Sequence, residues 1–297
     1  MSGVAIKVNN FTKSYGRFIA VDGISFEVNK GEIFGILGPN GAGKTSTLEC
    51  LEGLRTPDGG TINIMGVNPS KNPGKLKDII GVQLQSSGLP ETITVKEAMQ
   101  LFSAYHNTSP RYDLLDRMKL SDKLDTQYKE LSGGQQKRLT IALAVCHNPQ
   151  ILILDEPTAA LDVESRVELH SLIKELKDQG TTILMATHDM AEAEKMADRI
   201  AILLKGKIAV IDTPKKIVAS GSSKTKISVR TVGNALAGLT DIIVEEYYVF
   251  YSDNAGAKVM ELMNFIEEKE DSLIDLRVER PSLEERFLEI TSIGGIR

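Results

Sequence analysis

The chain has 297 residues, 41% hydrophobic and 25% charged, a balance that fits a soluble globular protein of one large or two ordinary domains. Its net charge of −5 argues against a nucleic-acid binder, and no stretch approaches the roughly 20 apolar residues of a membrane span. The first residues, Met1 to Lys7, hold no signal-peptide apolar block, and Cys50 and Cys146 read as buried free thiols, so a cytosolic chain is expected.

Short strands are expected at Ala5 to Val8, Ile24 to Val28 and Ile33 to Leu37, the last running into a Gly-rich loop and then a helix over Thr47 to Leu54. Asp58-Gly59-Gly60 marks a turn before a strand at Thr61 to Met65. Residues 75 to 128 are rich in helix formers and read as a helical insertion. Leu139, Ala142, Leu143 and Cys146 recur at helical spacing within Gln135 to His147. The continuous apolar run Ile151 to Leu154 suits a buried parallel strand. Helix at Val163 to Gln179, strand at Thr182 to Ala186, helix at Met190 to Ala197 and strand at Ile200 to Leu204 complete an α/β pattern, a mostly parallel sheet covered by helices.

Small polar residues at 219–224 read as a linker. Beyond them come strands at Lys226 to Val232, Ile242 to Ser252 and Leu273 to Val278, and a helix at Lys258 to Glu268. A last helix begins near Pro281-Ser282, with Ser282 as a possible cap. Residues 225–297 are thus expected to form a small α+β domain after a main domain at 1–218.

Three motifs carry chemistry. Gly38-Pro39-Asn40-Gly41-Ala42-Gly43-Lys44-Thr45, followed by Ser46, fits the phosphate-loop pattern. Its glycines let backbone N–H groups approach phosphate, Lys44 reaches the β- and γ-phosphates, and Thr45 offers a hydroxyl to Mg²⁺. Ile151 to Glu156 delivers Asp155 and Glu156 to the C-terminal end of a buried strand, where open α/β sheets bind ligands. Asp155 suits Mg²⁺, and Glu156 suits a general base toward the attacking water. Leu131-Ser132-Gly133-Gly134-Gln135 precedes a helix that Ser132 and Gln135 can cap reciprocally; its glycines also expose N–H groups at a second anion-binding helix terminus.

In this order the three motifs resemble the ATP-binding subunit of an ABC transporter, over roughly residues 4 to 218. That resemblance implies a P-loop ATPase with an antiparallel β subdomain and a helical subdomain at about 86–135. It implies a composite site in which Ser132, Gly133, Gly134 and Gln135 of one subunit close on the γ-phosphate held by another. Gln85 aligns with the loop glutamine that touches Mg²⁺ and the lytic water, with Gln83 as rival. His188 aligns with the switch histidine, Tyr15 with the aromatic that stacks on adenine, and Asp162 with the loop crossing the dimer interface. The family often has Ser-Gly where this chain has Ala159-Ala160, which puts in doubt a side-chain role at Ala159. Ser282-Leu283-Glu284 with Phe287 looks like a C-terminal element of drug, antibiotic and peptide exporter ATPases, although Glu284 and Phe287 also suit the two faces of a plain helix.

The resemblance therefore implies ATP and Mg²⁺ as cofactors, and as partners a transmembrane permease and a second copy or homologous ATPase subunit. It places the subunit at the cytoplasmic face of the membrane. Permease contact is expected between Gln85 and about Tyr128, with Leu84, Ser86, Leu89 and the apolar face of the 95–106 helix as candidates. An ABC-type ATPase acting on ribosomes would usually carry two ATPase halves and basic segments. One acting on chromosomes would carry a long coiled coil between Lys44 and Asp155, where no sustained heptads occur. A P-loop kinase or GTPase leaves Leu131 to Gln135 and His188 unexplained, and no guanine-reading Asn-Lys-x-Asp motif is present.

Overall fold

The computed structural model describes residues 3–84, 88–221, 224–240 and 242–293. The chain divides into two compact units, Met1–Pro214 and Lys215–Arg297. The division falls ahead of the 219–224 segment, because a helix already begins at Pro214.

The first unit opens with a hairpin, β1 (Val4–Tyr15) and β2 (Phe18–Asn29), both longer than their apolar cores suggested. Bulges interrupt the β1–β2 ladder and break the strict alternation that pattern reading relies on. β3 (Ile33–Leu37) is buried throughout and leads to α1 (Lys44–Leu51). β4 (Gly59–Ile64) pairs with β1, giving an antiparallel sheet of order β2-β1-β4. After α2 (Pro73–Leu76) comes β5 (Ile80–Gln83).

β5 corrects the expectation of a helical insertion beginning at residue 75. It has four residues, too few to show a period of two, and burial on both faces removes the alternation. Helical structure follows it: α3 (Val95–Tyr105), α4 (Tyr112–Arg117), 3-10 turns at Ser121–Lys123 and Tyr128–Glu130, and α5 (Gly133–Val145). α3 starts at a complete capping box between Thr94 and Glu97.

The remaining elements of the unit are β6 (Ile151–Asp155), α6 (Val163–Asp178), β7 (Thr182–Thr187), α7 (Met190–Met196), β8 (Arg199–Leu204) and β9 (Lys207–Asp212). They build a six-stranded sheet of order β5-β6-β7-β3-β8-β9, parallel except for the edge strand β9. Strand β9 was not anticipated, although Ile208 to Ile211 is an apolar run; it returns antiparallel to β8 through the tight Lys205-Gly206 turn. Phe11, Phe34, Leu48, Ile64, Ile153 and Leu184 are completely or almost completely buried in one core that joins the two sheets. Each such side chain stabilises the fold by about 1.5–3 kcal/mol relative to exposure. Cys50 and Cys146 are free and buried, and burial pushes the Cys50 thiol up to about 11.

The second unit contains α8 (Pro214–Ala219) from Lys215 onward, β10 (Thr225–Thr231), β11 (Ile243–Val244), β12 (Tyr247–Ser252), α9 (Ala255–Glu268), β13 (Leu273–Glu279) and α10 (Leu283–Ile293). Its sheet is antiparallel, of order β11-β12-β10-β13. Leu262 and Ile266 of α9 pack on Ile227, Val229, Tyr248 and Phe250. Ser282 and Glu285 form the cap of α10, whose buried stripe is Leu283 and Phe287 while Glu284 is exposed.

Gly81 lets β5 pass close to α5: a Cβ there would stand 2.0 Å from the Ala144 carbonyl oxygen. The carbonyl belongs to a helix and cannot swing aside, so Gly81→Ala is expected to destabilise the first unit by about 1–3 kcal/mol. The urea unfolding midpoint measures this; an unchanged midpoint would show that β5 and α5 can separate freely.

Candidate functional site

The phosphate-loop sequence forms the turn between β3 and α1. Gly43 ends it in a left-handed conformation, φ 104°, and a Cβ there would lie 2.4 Å from the Ala20 carbonyl oxygen. The start of α1 has no side-chain cap and no acidic residue in its first turn, so its N–H groups are left for an anion. The buried Lys44 Nζ donates to the carbonyls of Gly38 at 2.7 Å and Pro39 at 3.2 Å, curling the ammonium back over its own loop. Burial lowers its pKa, opposed by the nearby Glu156 and Asp155. A cleft of about 320 Å³ runs from Tyr15 and Phe18 past Asn40, Gly41, Gly43 and Lys44 to Thr45, Ser46 and Glu156. Pro39 is exposed beside it and Ala42 is buried beneath.

β6 is buried throughout and places Asp155 and Glu156 at its end. Burial raises the Asp155 pKa, and Glu156 next to it raises it further; Lys44 and Lys137 pull it back. Glu156 adopts a left-handed φ of 47°, a strained conformation for a side-chain-bearing residue. Its N–H donates to the Ala186 carbonyl at 2.9 Å, and its Oε1 lies 2.8 Å from His188 Nδ1. His188 follows β7, so two neighbouring strands bring acid and imidazole together.

Tyr15 ends β1, its hydroxyl donating to Ser46 Oγ at 3.3 Å, with the Arg55 guanidinium 5.2 Å from its ring centre. Gln85 and Ser86 lie outside the described residues. Gln83, the rival glutamine, is buried at the end of β5 and donates to the Leu84 carbonyl.

Ser132 caps α5 in a complete capping box with Gln135: Ser132 N–H donates to Gln135 Oε1 at 2.9 Å, and Gln135 N–H to Ser132 Oγ at 3.3 Å. Ser132 and Gly133 are exposed and do not line the Lys44 cleft, so this chain does not bring the two anion-binding helix termini into one pocket. Gly134 packs on α6, where a Cβ would stand 2.5 Å from Ser165 Oγ. Asp162 caps α6, accepting from Ser165 N–H at 2.9 Å and Ser165 Oγ at 2.8 Å. Those bonds hold the Asp162 carboxyl below its usual range.

Four features escaped sequence reasoning. Phe18 shares the cleft with Tyr15, a partner detectable only once the hairpin pairs Tyr15 with Phe18. Lys137 donates to the Glu156 carbonyl at 3.4 Å from α5, a contact between distant segments. Thr158, between β6 and α6, donates to Glu192 of α7 at 2.6 Å, and His170 of α6 lies 3.2 Å from the same carboxylate. Burial pushes Glu192 up, but its bonds with His170, Thr158 and Thr187 outweigh this and hold it below its usual range. Glu52 closes α1 with both carboxylate oxygens buried and without a hydrogen-bond partner. Burial pushes it up to about 8, helped by Asp155 and Glu49.

A phosphate loop, a buried acidic strand end and a histidine on the neighbouring strand, delivered to one edge of a parallel sheet, define a nucleoside-triphosphate hydrolase of the P-loop class. The ABC transporter family model matches residues 21–159. Nod factor export ATP-binding protein I of Burkholderia orbicola is 39% identical over 226 residues, 74% of this chain and 74% of that protein. The linearmycin resistance ATP-binding protein LnrL of Bacillus subtilis is 31% identical over 304 residues, covering 96% of this chain and 98% of its own. An ATP-binding subunit of an ABC transporter superposes with a TM-score of 0.67 at 27% identity, over 72% of this chain and 92% of that one. A bacterial ABC transporter cassette solved as a dimer superposes with 0.64 at 28%, over 70% and 98%. The chain belongs to the ATP-binding subunits of ABC transporters; it binds and hydrolyses ATP in the service of transport.

The raised Glu52 pKa has a sign that can be measured. A folded-state value above the unfolded one lends stability that is full below the ordinary carboxylate range and drains away as pH rises toward 8. Glu52→Gln, which stays neutral, is therefore expected to lose less stability between pH 5 and pH 8 than the wild type. Urea midpoints across that window test it, and parallel curves for the two proteins would remove the buried acid.

Proposed function

We propose that this chain is the peripheral ATP-binding subunit of an exporter, in which two copies, or one copy and a homologous subunit, close on two ATP molecules and drive a separate transmembrane permease from the cytoplasmic face of the membrane. The observation that carries the reading is the exposed helix start at Ser132 and Gly133, an anion site lying outside the cleft of Lys44 and Glu156. A second chain supplies what one chain keeps apart. The relative solved as a dimer supports this arrangement.

The residues fit ATP and Mg²⁺. Lys44 turns to loop carbonyls, the acceptors open to an ammonium beside a bare helix terminus, and phosphate oxygens are stronger acceptors of the same kind. Thr45 is exposed in the cleft, and Asp155 is a buried acid beside another acid, a pair that a divalent cation suits. Bound Mg²⁺ neutralises phosphate charge. The backbone of residues 38–43 and Lys44 cradle the phosphates, with Ser46 beside them. Tyr15 and Phe18 offer aromatic surface to the base, and Glu156 takes a proton from the attacking water while His188 holds its carboxylate in place. Ser132, Gly133, Gly134, Gln135 and Asp162 serve the neighbouring subunit's nucleotide, and Gln85 serves Mg²⁺ and the water.

Among the described residues no helix is long and apolar enough to cross a membrane, which leaves that task to a permease. A groove of about 440 Å³, lined by Leu84, Leu89, Leu101, Phe102 and Glu52 among others, supports the contact. Much of the apolar face of α3 is committed to the core through Val95, Ala98 and Met99, and Leu101 and Phe102 are the α3 residues that line the groove. The Nod factor export and linearmycin resistance relatives and the Ser282–Phe287 element support export of a drug, antibiotic, peptide or lipid.

Glu156→Gln is expected to bind Mg-ATP with near wild-type affinity and to lose turnover by at least about 100-fold, in line with removal of a general base; a normal rate in phosphate-release assays would exclude Glu156 from that role. The shared site is tested by complementation. Lys44→Ala and Ser132→Arg chains should each be inactive, while their mixture should recover turnover, because a mixed pair contains one intact Lys44–Ser132 site. A mixture as inactive as its parts would reduce Ser132 to the helix cap it forms within one chain.

A further inference from the structure

Glu156 is held by its backbone as well as by its carboxylate. Its left-handed φ of 47° is a conformation that a side-chain-bearing residue keeps only where surrounding bonds fix it. The N–H is fixed by the Ala186 carbonyl of the neighbouring strand at 2.9 Å. The carbonyl accepts from the Ala159 N–H at 3.3 Å, within the turn that follows β6. It also accepts from Lys137 Nζ at 3.4 Å, a donor that comes from α5, another part of the chain.

The packing of α5 puts Lys137 within reach. Gly134 lets the helix lie close to α6, since a Cβ there would stand 2.5 Å from Ser165 Oγ. Lys137 follows three residues on, and so lies on the same side of the helix. The side chain is half-buried, and burial lowers its pKa while Asp155 and Glu156 draw it back. A lysine acting only as counter-charge to two acids needs no particular acceptor. This one directs a donor to a neutral carbonyl, at the point where the chain turns out of β6. Lys137 does not line the Lys44 cleft, whereas Glu156 does.

We infer that Lys137 is a positioning residue for hydrolysis: by fixing the Glu156 carbonyl it keeps the backbone turn that aims the Glu156 carboxylate at the attacking water. The inference rests on Glu156 as the general base proposed above. Side-chain direction follows backbone conformation, so a peptide free to rotate out of the left-handed region would swing the carboxylate away from its station beside His188. Nucleotide binding, which belongs to the phosphate loop, does not depend on this contact.

Single-turnover hydrolysis and nucleotide binding by the full chain test this. Lys137→Met is expected to slow hydrolysis at least about 10-fold while Mg-ATP affinity stays within about three-fold of the wild type. Lys137→Cys should be equally slow. Alkylation of that variant with bromoethylamine, verified by mass spectrometry, should restore most of the rate, because it returns an ammonium of nearly the same reach. Native Cys50 and Cys146 are buried, which directs the reagent to residue 137. In a Glu156→Gln chain, Lys137→Met should add no further loss, since a residue that acts through the carboxylate has nothing left to place. An undiminished rate in Lys137→Met, rate and affinity falling together, no recovery on aminoethylation, or a second full loss on top of Glu156→Gln each overturns the inference. Normal turnover by Glu156→Gln alone would instead remove the base on which it rests, so the two failures are told apart.

Discussion

The parallel ladder joining β6, β7 and β3 is what the site depends on. Leu37 pairs with Thr187, and Asp155 with Ala186, so three strands end within a residue or two of one another. The phosphate loop leaves the first, the two acids leave the second and His188 leaves the third. The N–H of Glu156 extends the ladder by one bond, to the Ala186 carbonyl. A slip of one residue in β6 would turn Asp155 and Glu156 to the opposite faces of the sheet.

On that framework the electrostatics are deliberately unbalanced. Asp155, Glu156 and Glu52 gather acid near Lys44 and Lys137, and burial moves Asp155, Glu52 and both lysines away from their ordinary values. Glu156 is held in a left-handed conformation by its backbone bond and by His188. A site arranged for ATP has this character when considered by itself, since its charges are desolvated in advance of the polyanion. Behind it, Thr158, Glu192 and His170 tie the segment after β6 to α6 and α7, so the helix that follows His188 is anchored by a buried, hydrogen-bonded polar set rather than by apolar packing alone.

The second unit is built on another plan. Its sheet is antiparallel and its core small, and no described strand lies beyond β13 at one edge. Similarity to the linearmycin resistance protein extends along nearly the whole chain, and so includes this unit.

Local order in the chain was enough to determine much of this protein. The phosphate loop, the strand that carries Asp155 and Glu156, and the Ser132–Gln135 helix start are contiguous segments whose chemistry depends on neighbours one to five residues away, and each forms where its residues imply. The same locality explains the cap geometry at Ser132, Asp162 and Ser282. Tertiary structure alone decided what distant segments do together. β5 is short and two-face buried, so it carries no periodicity of its own and is a strand only because β6 lies beside it. Phe18 joins Tyr15 across a two-residue hairpin turn, while Lys137 reaches Glu156 and Glu52 becomes a buried acid because the fold brings separate segments within a few ångströms. The energies involved are desolvation and packing, which depend on what surrounds a side chain in space and leave no trace in its order along the chain.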